Sequence, residues 1–119
     1  MIVKVKEIRN GDSIVFDNGY QLSADHSQDC CESHYLDFEH IGISEFEGLE
    51  FDISGDSFFN RIEDYGIELV PLKGYNVKIP GYGSNNGYYS SNLALVLTDE
   101  QYKTVKEFDI SECQDINWV

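Results

Sequence analysis

The chain has 119 residues, 41% of them hydrophobic and 13% aromatic, and its 22 acidic residues against 8 lysines and arginines give a formal charge of −14. Phosphate backbones and anionic membrane surfaces repel such a charge, so neither direct nucleic-acid binding nor membrane binding is expected. The aromatic content excludes a disordered chain, and the length is that of one folded domain.

The amino terminus and the cysteines predict a cytoplasmic protein. Apolar and charged residues alternate over residues 1–6, whereas a signal peptide needs a continuous apolar region. The three cysteines are an odd number and two of them are adjacent, so they do not form a disulfide framework. We therefore expect free thiols in a reducing compartment.

The first predicted elements are a strand over residues 2–8 and a β-hairpin over residues 13–24. The hairpin is indicated by Asn18 and Gly19, the favoured pair for a two-residue turn in which both residues have positive φ. Such a turn would place Val15 opposite Leu22 on an apolar face. The strand is expected to pair alongside the hairpin.

Two short helices are predicted next, over residues 43–49 and 56–64, because Ser44 and Asp56 are favourable N-cap residues.

The second half of the chain contains strand patterns. Apolar residues alternate with other residues over 67–70 and 75–79, and the continuous apolar run 93–97 suits a central strand. A last extended pair is expected near residues 105–110 and 115–119. Strand patterns therefore outnumber helical ones along the chain.

Together these patterns predict a β-dominated α+β fold class. We expect a compact single domain over residues 1–119, built on an antiparallel and strongly curved sheet with one or two short helices. The abundant aromatic residues support strands over helices, since they pack well on a pleated surface.

Residues 81–92 predict a polar, aromatic loop of the adaptable kind found on binding surfaces. Its candidate binding residues are Asn86, Gly87, Tyr88 and Tyr89. Adjacent residues of an extended segment point to opposite sides. One tyrosine should therefore face the fold while the other faces solvent.

The segment 25–34 concentrates side chains that bind metals, with two of the three cysteines and two of the three histidines. The spacing of His26 and Cys30 lies within that of zinc ligands, although no second ligand pair follows. In an extended segment Cys30, Glu32 and His34 share one face. If the segment binds a metal, the expected ligands are therefore these three residues together with His26, and the expected metal is zinc.

Two other interpretations of this segment stay open. Cys30 or Cys31 could act as a nucleophile activated by His26 or His34, as in thiol enzymes. The acidic neighbours disfavour this, because a reactive thiolate needs positive surroundings. Alternatively, the cysteines pack as small hydrophobic residues at a polar turn.

Two stretches, Asp-Cys-Cys-Glu at 29–32 and Asn-Gly-Tyr-Tyr at 86–89, resemble a small single-domain family of unknown function encoded largely by bacteriophages and by bacteria that carry them. Members similar to it have Asp-Cys-Cys-Ser/Glu after an N-terminal hairpin and Asn-Gly-Tyr-Tyr before a final strand. The resemblance covers residues 12–97. It departs from the family at Ser90 and Ser91, where small residues, often glycines, are usual. It implies a biological setting and no mechanism.

The preferred functional prediction is a non-enzymatic, cytoplasmic, phage-type accessory protein without a cofactor. It would bind another protein, basic in character, through its acidic surface and the 81–92 loop. The alternative is a small metal-binding or thiol-dependent enzyme centred on residues 26–34, with zinc as the expected metal.

Overall fold

The computed structural model describes residues 1–26 and 32–119, of which 47% lie in strands and 4% in helix. The predicted β-dominated, compact fold is confirmed. In chain order, the strands of the described residues are β1 (Ile2–Val3), β2 (Val5–Arg9), β3 (Ser13–Phe16), β4 (Gln21–Asp25), β5 (Ser33–Leu36), β6 (Phe51–Asp52), β7 (Phe59–Ile62), β8 (Gly66–Leu69), β9 (Val77–Asn85), β10 (Ala94–Thr98), β11 (Thr104–Asp109) and β12 (Asp115–Trp118).

These strands form two five-stranded sheets and one small pair. The first sheet has the order β11-β10-β4-β3-β2, and the second has the order β12-β9-β8-β7 with β5 also paired to β9. Strand β1 pairs with β6. All these pairs are antiparallel except β12 with β9, which is parallel. The expectation of a wholly antiparallel sheet is therefore wrong at the last strand, because the chain crosses from the first sheet to the second after β11.

The first predicted hairpin is confirmed, as is its pairing with β2, but its turn is longer than expected. Leu22 lies opposite Ile14 and not Val15. The Gly19 amide donates to the Phe16 carbonyl at 2.9 Å, and Gly19 has a φ of +90°, which is typical of a three-residue loop ending in a left-handed residue. Ile14 and Leu22 are both 0% exposed, so core packing selects this register.

Neither of the predicted short helices forms. Segment 43–49 contains a single 3-10 turn, Ile43–Phe46, whose only buried residue is Phe46. The turn ends there because Glu47 is extended and Gly48 has a positive φ of 78°, which a helix does not continue through. Segment 56–64 contains strand β7 instead, because Phe59 is buried at its pairing with β8. Among the described residues, no helix is long and apolar enough to cross a membrane.

The strand predictions for the second half hold except at the ends. Strands β8 and β9 pair with Ile67 opposite Ile79, and β10 lies between β4 and β11 as expected of a central strand. Strands β11 and β12 form near the predicted positions but do not pair with each other. Strand β9 continues to Asn85, so the loop predicted over 81–92 begins only at residue 86.

One hydrophobic core joins the two sheets. The first sheet contributes Ile14, Leu22 and Leu95, and the second contributes Ile67 and Ile79, each 0% exposed. The sheets therefore share a single apolar interior, and any polar group at their junction must find its partners within the protein.

Candidate functional site

A buried polar cluster lies where the two sheets meet. His26 follows β4 of the first sheet, Glu32 precedes β5 of the second sheet, and His34 lies within β5. One ring nitrogen of each histidine and one oxygen of Glu32 lie within 4.8 Å of one another. The fold thus brings together three of the predicted zinc ligands. The fourth, Cys30, lies outside the described residues, as does Cys31.

The cluster is shielded from water. The side chains of His26 and Glu32 are 3% and 1% exposed, and His34 is 6% exposed. The two imidazole rings meet edge to face with their centroids 4.6 Å apart. Buried titratable groups are costly unless hydrogen bonds or counter-charges compensate them, so the partners of each atom determine what the cluster can do.

Hydrogen bonds determine the tautomer of His34. The Gln114 amide nitrogen donates to the carbonyl oxygens of Ser91 at 2.7 Å and Ser111 at 2.9 Å. This orients its Oε1 towards His34 Nδ1 at 2.7 Å. Because a carbonyl oxygen only accepts, Nδ1 carries the proton and Nε2 keeps a lone pair. The amide nitrogen of Asn85 lies 3.1 Å from that Nε2 and donates to it.

The same reasoning applies to His26. Its Nδ1 lies 2.5 Å from the carbonyl oxygen of Asn92, so Nδ1 is the donor. Its Nε2 lies 2.9 Å from Oε1 of Glu32. A neutral imidazole would direct its lone pair at the carboxylate oxygen, which places two acceptors in contact. The contact therefore requires either a proton between the two atoms, on Nε2 or on the carboxyl oxygen, or a metal ion.

Both histidines thus donate Nδ1–H to a carbonyl-type oxygen, while Nε2 contacts Asn85 in one case and Glu32 in the other. Metal-binding histidines show this arrangement, because the outer hydrogen bond fixes the ring and raises the basicity of the ligating nitrogen. Two imidazole nitrogens and a carboxylate oxygen are a donor set that suits zinc and other divalent transition metals. The three residues therefore offer a donor set that could hold a metal ion.

Two glycines of β9 make room for this cluster. A Cβ at Gly83 would lie 2.4 Å from His34 Nδ1 and 2.8 Å from Gln114 Oε1. A Cβ at Gly81 would lie 2.4 Å from the carbonyl oxygen of Cys113. Real Cβ atoms do not approach other atoms so closely. The glycines that favoured a loop in the sequence are instead positions of close approach within a strand.

Sequence reasoning missed four residues around the cluster, namely two glycines of β9, Asn85 and Gln114. Glycines alternating at 81 and 83 were a usable signal, since glycine inside a strand marks close approach. Asn85 directly precedes the Asn-Gly-Tyr-Tyr stretch but has no distinguishing pattern. Gln114 had no local signal, because it lies 80 residues from its partner His34.

The predicted binding residues lie in the connection that follows β9, which we call the tyrosine loop, residues 86–92. Tyr88 is 89% exposed, whereas Tyr89 is half-buried and its ring centroid lies 6.2 Å from that of Tyr88. Asn86 and Gly87 are exposed. The expected division between one outward and one inward tyrosine is confirmed.

The described cysteine is not an activated thiol. Cys113 is 1% exposed, and burial raises the pKa of its thiol. The charges of Glu112 and Asp109 raise this pKa further, while Arg61 and a backbone hydrogen bond from Ile62 oppose the shift. Cys113 is therefore a core residue, and it does not serve the thiol chemistry considered for residues 26–34.

Comparison with known proteins identifies a family without an assigned activity. Residues 1–96 match the sequence model described as a domain of unknown function, DUF7448. The match includes His26, Glu32 and His34 and ends before Gln114. No curated protein and no solved structure matches the chain. The chain belongs to the DUF7448 family.

Proposed function

We propose that this member of the DUF7448 family binds a divalent metal ion, zinc by preference, through Nε2 of His26, Nε2 of His34 and the carboxylate of Glu32. The observation that carries the proposal is the 2.9 Å contact between His26 Nε2 and Glu32 Oε1. Both histidines have already committed Nδ1 to carbonyl oxygens. A metal ion would convert a contact between two acceptors into two ligand bonds.

The proposed ion is structural. Its ligands come from the end of β4 and from the start of β5, so it would cross-link the two sheets. The ligand side chains are almost fully buried, and closed, buried sites are typical of structural zinc, whereas catalytic zinc keeps an open position. Cys30, the sequence-predicted fourth ligand, would complete a tetrahedral set. The domain would accordingly gain stability from the metal and not use it to turn over a substrate.

Zinc uptake requires a local exchange of partners. The Nε2 lone pair of His34 now accepts from the side-chain amide of Asn85, and zinc would take that lone pair at about 2.0–2.1 Å. Removal of this competing donor should therefore not weaken zinc binding, whereas removal of Gln114, which orients His34, should weaken it about 10–100-fold.

The first test is metal content. Purified protein analysed by elemental analysis should carry about one zinc ion per chain, and a chelated sample should regain it with a rise in Tm. His26→Ala and His34→Ala should each abolish stoichiometric uptake. His40→Ala is the matched control, because His40 is 81% exposed, pairs with Asp37 and lies outside the cluster.

The second test concerns the fourth ligand. Cobalt in place of zinc should give a thiolate charge-transfer band in wild type, and this band should vanish in Cys30→Ser. A wild-type protein that folds fully yet takes up no zinc would contradict the metal proposal. The contact between His26 and Glu32 would then be a hydrogen bond that shares one proton between the imidazole and the carboxyl group.

We also propose that the tyrosine loop binds a basic protein partner, as an accessory function of a phage type. The observation that favours this is Tyr88, a residue that is 89% exposed beside exposed asparagine and glycine. Tyrosine offers a large contact area at a low entropic cost. The charge of −14 would steer a basic partner towards the protein.

The partner proposal predicts salt-sensitive capture. Immobilised protein should retain a specific basic protein from a bacterial host lysate at low salt and lose it as salt rises, since the Debye length falls to about 10 Å at 0.1 M. Tyr88→Ala should lose the partner with an unchanged Tm. Tyr102→Ala, which alters another tyrosine that is 69% exposed, should retain it. Equal capture by both variants would refute a role for the loop.

A further inference from the structure

The backbone of the tyrosine loop is held by the side chains that surround the proposed metal. Four consecutive loop carbonyls accept hydrogen bonds from the cluster. In loop order, the contacts are Asn85 Nδ2 to Tyr89 O at 3.1 Å and to Ser90 O at 3.4 Å, Gln114 Nε2 to Ser91 O at 2.7 Å, and His26 Nδ1 to Asn92 O at 2.5 Å. The loop is thus an outer layer of the cluster.

Most of this support comes from distant parts of the chain. His26 lies 66 residues from its loop partner Asn92, and Gln114 lies 23 residues from Ser91. Only Asn85 adjoins the loop, and the same Nδ2 that reaches the loop carbonyls also donates to His34. A change at Nε2 of either histidine is therefore transmitted to the loop backbone through His26 itself, Asn85 or Gln114.

We infer that zinc at the His26–Glu32–His34 centre controls the conformation of the tyrosine loop, so that Asn86 and Tyr88 are held in one arrangement when the metal is bound and released when it leaves. This inference rests on the proposed metal site. It assigns the metal a regulatory role at an interaction surface in addition to cross-linking the sheets.

The first coupling acts through the imidazoles. A cation on Nε2 withdraws electron density from the ring and makes Nδ1–H a stronger donor. For His26 that donor binds the Asn92 carbonyl directly. For His34 it binds Gln114, which in turn donates to the Ser91 carbonyl. Both routes tighten the last part of the loop.

The second coupling acts through Asn85. Its amide nitrogen has two hydrogens and three acceptors, namely His34 Nε2 and the carbonyls of Tyr89 and Ser90. When zinc takes the lone pair of His34, both hydrogens are left to the loop carbonyls. The Oδ1 of Asn85 meanwhile accepts from the Gly87 amide at 2.8 Å, so fixing this side chain also fixes the start of the loop.

Hydrogen–deuterium exchange of the wild-type chain, with zinc chloride or with a chelator, tests the coupling without any mutation. Zinc should slow exchange over residues 86–92 roughly tenfold, because local opening of the loop becomes less frequent. Exchange over residues 17–20, the hairpin turn, should change less than twofold. Zinc content is measured on the same samples.

The variant Asn85→Ala separates binding from coupling. It keeps all three ligands, so it should take up zinc as wild type does, while zinc-dependent slowing over residues 86–89 should fall below twofold. Asn60→Ala, which removes an exposed asparagine from β7, is the matched control and should behave as wild type.

Three results would overturn the inference. Zinc uptake by wild type with unchanged loop exchange would refute the coupling and leave the metal site standing. Equal slowing of the loop and of residues 17–20 would show that zinc acts only through global stability. Failure of wild type to take up zinc would refute the metal site and the coupling together.

Discussion

The chain contains the tripeptide Asn-Gly-Tyr twice, at residues 18–20 in the hairpin and at residues 86–88 in the tyrosine loop. The local geometry is nearly the same in both. Gly19 and Gly87 have φ of +90° and +86°, and each asparagine Oδ1 accepts from the tyrosine amide, at 3.0 Å and 2.9 Å. The short-range chemistry of the tripeptide therefore produces the same turn in two places.

The surroundings of the two tripeptides differ. The hairpin turn closes on itself through the Gly19 amide and the Phe16 carbonyl, and Tyr20 packs against the core. In the tyrosine loop, Tyr88 is 89% exposed, and the carbonyls of Ser91 and Asn92 are bound by side chains from other parts of the chain. The comparison teaches that one motif can form a self-contained turn or the exposed end of a loop that buried polar side chains hold in place.

The largest effect should come from Gly83→Ala. The added Cβ would overlap the bond between His34 and Gln114, and such overpacking should lower the free energy of unfolding by about 3 kcal/mol. Urea unfolding measures this. Gly55→Ala, whose Cβ would meet nothing within 4 Å, should stay within about 0.5 kcal/mol of wild type. Equal effects of the two variants would mean that β9 does not need to approach the cluster closely.

Gln114→Ala should have the next largest effect. It should lower the free energy of unfolding by about 2 kcal/mol, because it leaves the buried Nδ1–H of His34 without its acceptor. It should also speed hydrogen exchange in the tyrosine loop while leaving the hairpin turn unchanged, since only the loop depends on this side chain. Gln101→Ala removes an exposed glutamine and should change neither quantity. If Gln114→Ala disturbed both regions equally, the proposed difference between them would be wrong.

Gly19→Ala and Gly87→Ala should each lower the free energy of unfolding by about 1 kcal/mol, because both place a side chain at positive φ. Gly19→Ala should be slightly worse, since its Cβ would lie 3.0 Å from the Cβ of Glu100, whereas nothing lies near Gly87. Thermal unfolding of both variants checks this. A negligible cost at Gly87 alone would show that the loop tolerates another backbone conformation.

The smallest effect concerns Asp52, which combines a local and a distant partner. Hydrogen bonds from Ser54, followed by the amino terminus, lower the pKa of Asp52 from 3.8 to about 2. A lowered pKa in the folded state stabilises the protein above the unfolded value and loses this effect as the pH falls from 3.8 towards 2. Asp52→Asn should therefore lower Tm slightly at neutral pH and by less at pH 2.

The contributions of Ser54 and of the amino terminus to the pKa of Asp52 can be measured separately. Ser54→Ala, which removes the side-chain hydrogen bond and keeps the backbone one, should raise the pKa of Asp52 more than acetylation of the amino terminus does, because that side-chain hydrogen bond is the largest single contribution. NMR titration of the Asp52 carboxyl measures both changes. A larger effect of acetylation would make the distant partner the dominant one.

Much of the candidate site could be anticipated from residue types and spacing. His26, Glu32 and His34 were predicted as ligands because imidazole and carboxylate groups cluster in a short segment that alternates around a strand, and these three converge. Their protonation could not be anticipated, because it depends on Asn92 and Gln114, which are far away in the chain.

The sequence by itself determined the strand-rich character, the Asn-Gly turns and the alternation that pairs β8 with β9, since these depend on backbone preferences and on periodicity within a few residues. Tertiary structure alone decided the hairpin register, the strand in place of a helix at 56–64, the parallel pairing of β12 and the orientation of both histidines. Each of these depends on which distant groups share one buried space, and there the cost of an unfilled core or an unpaired polar atom exceeds the small differences in local propensity.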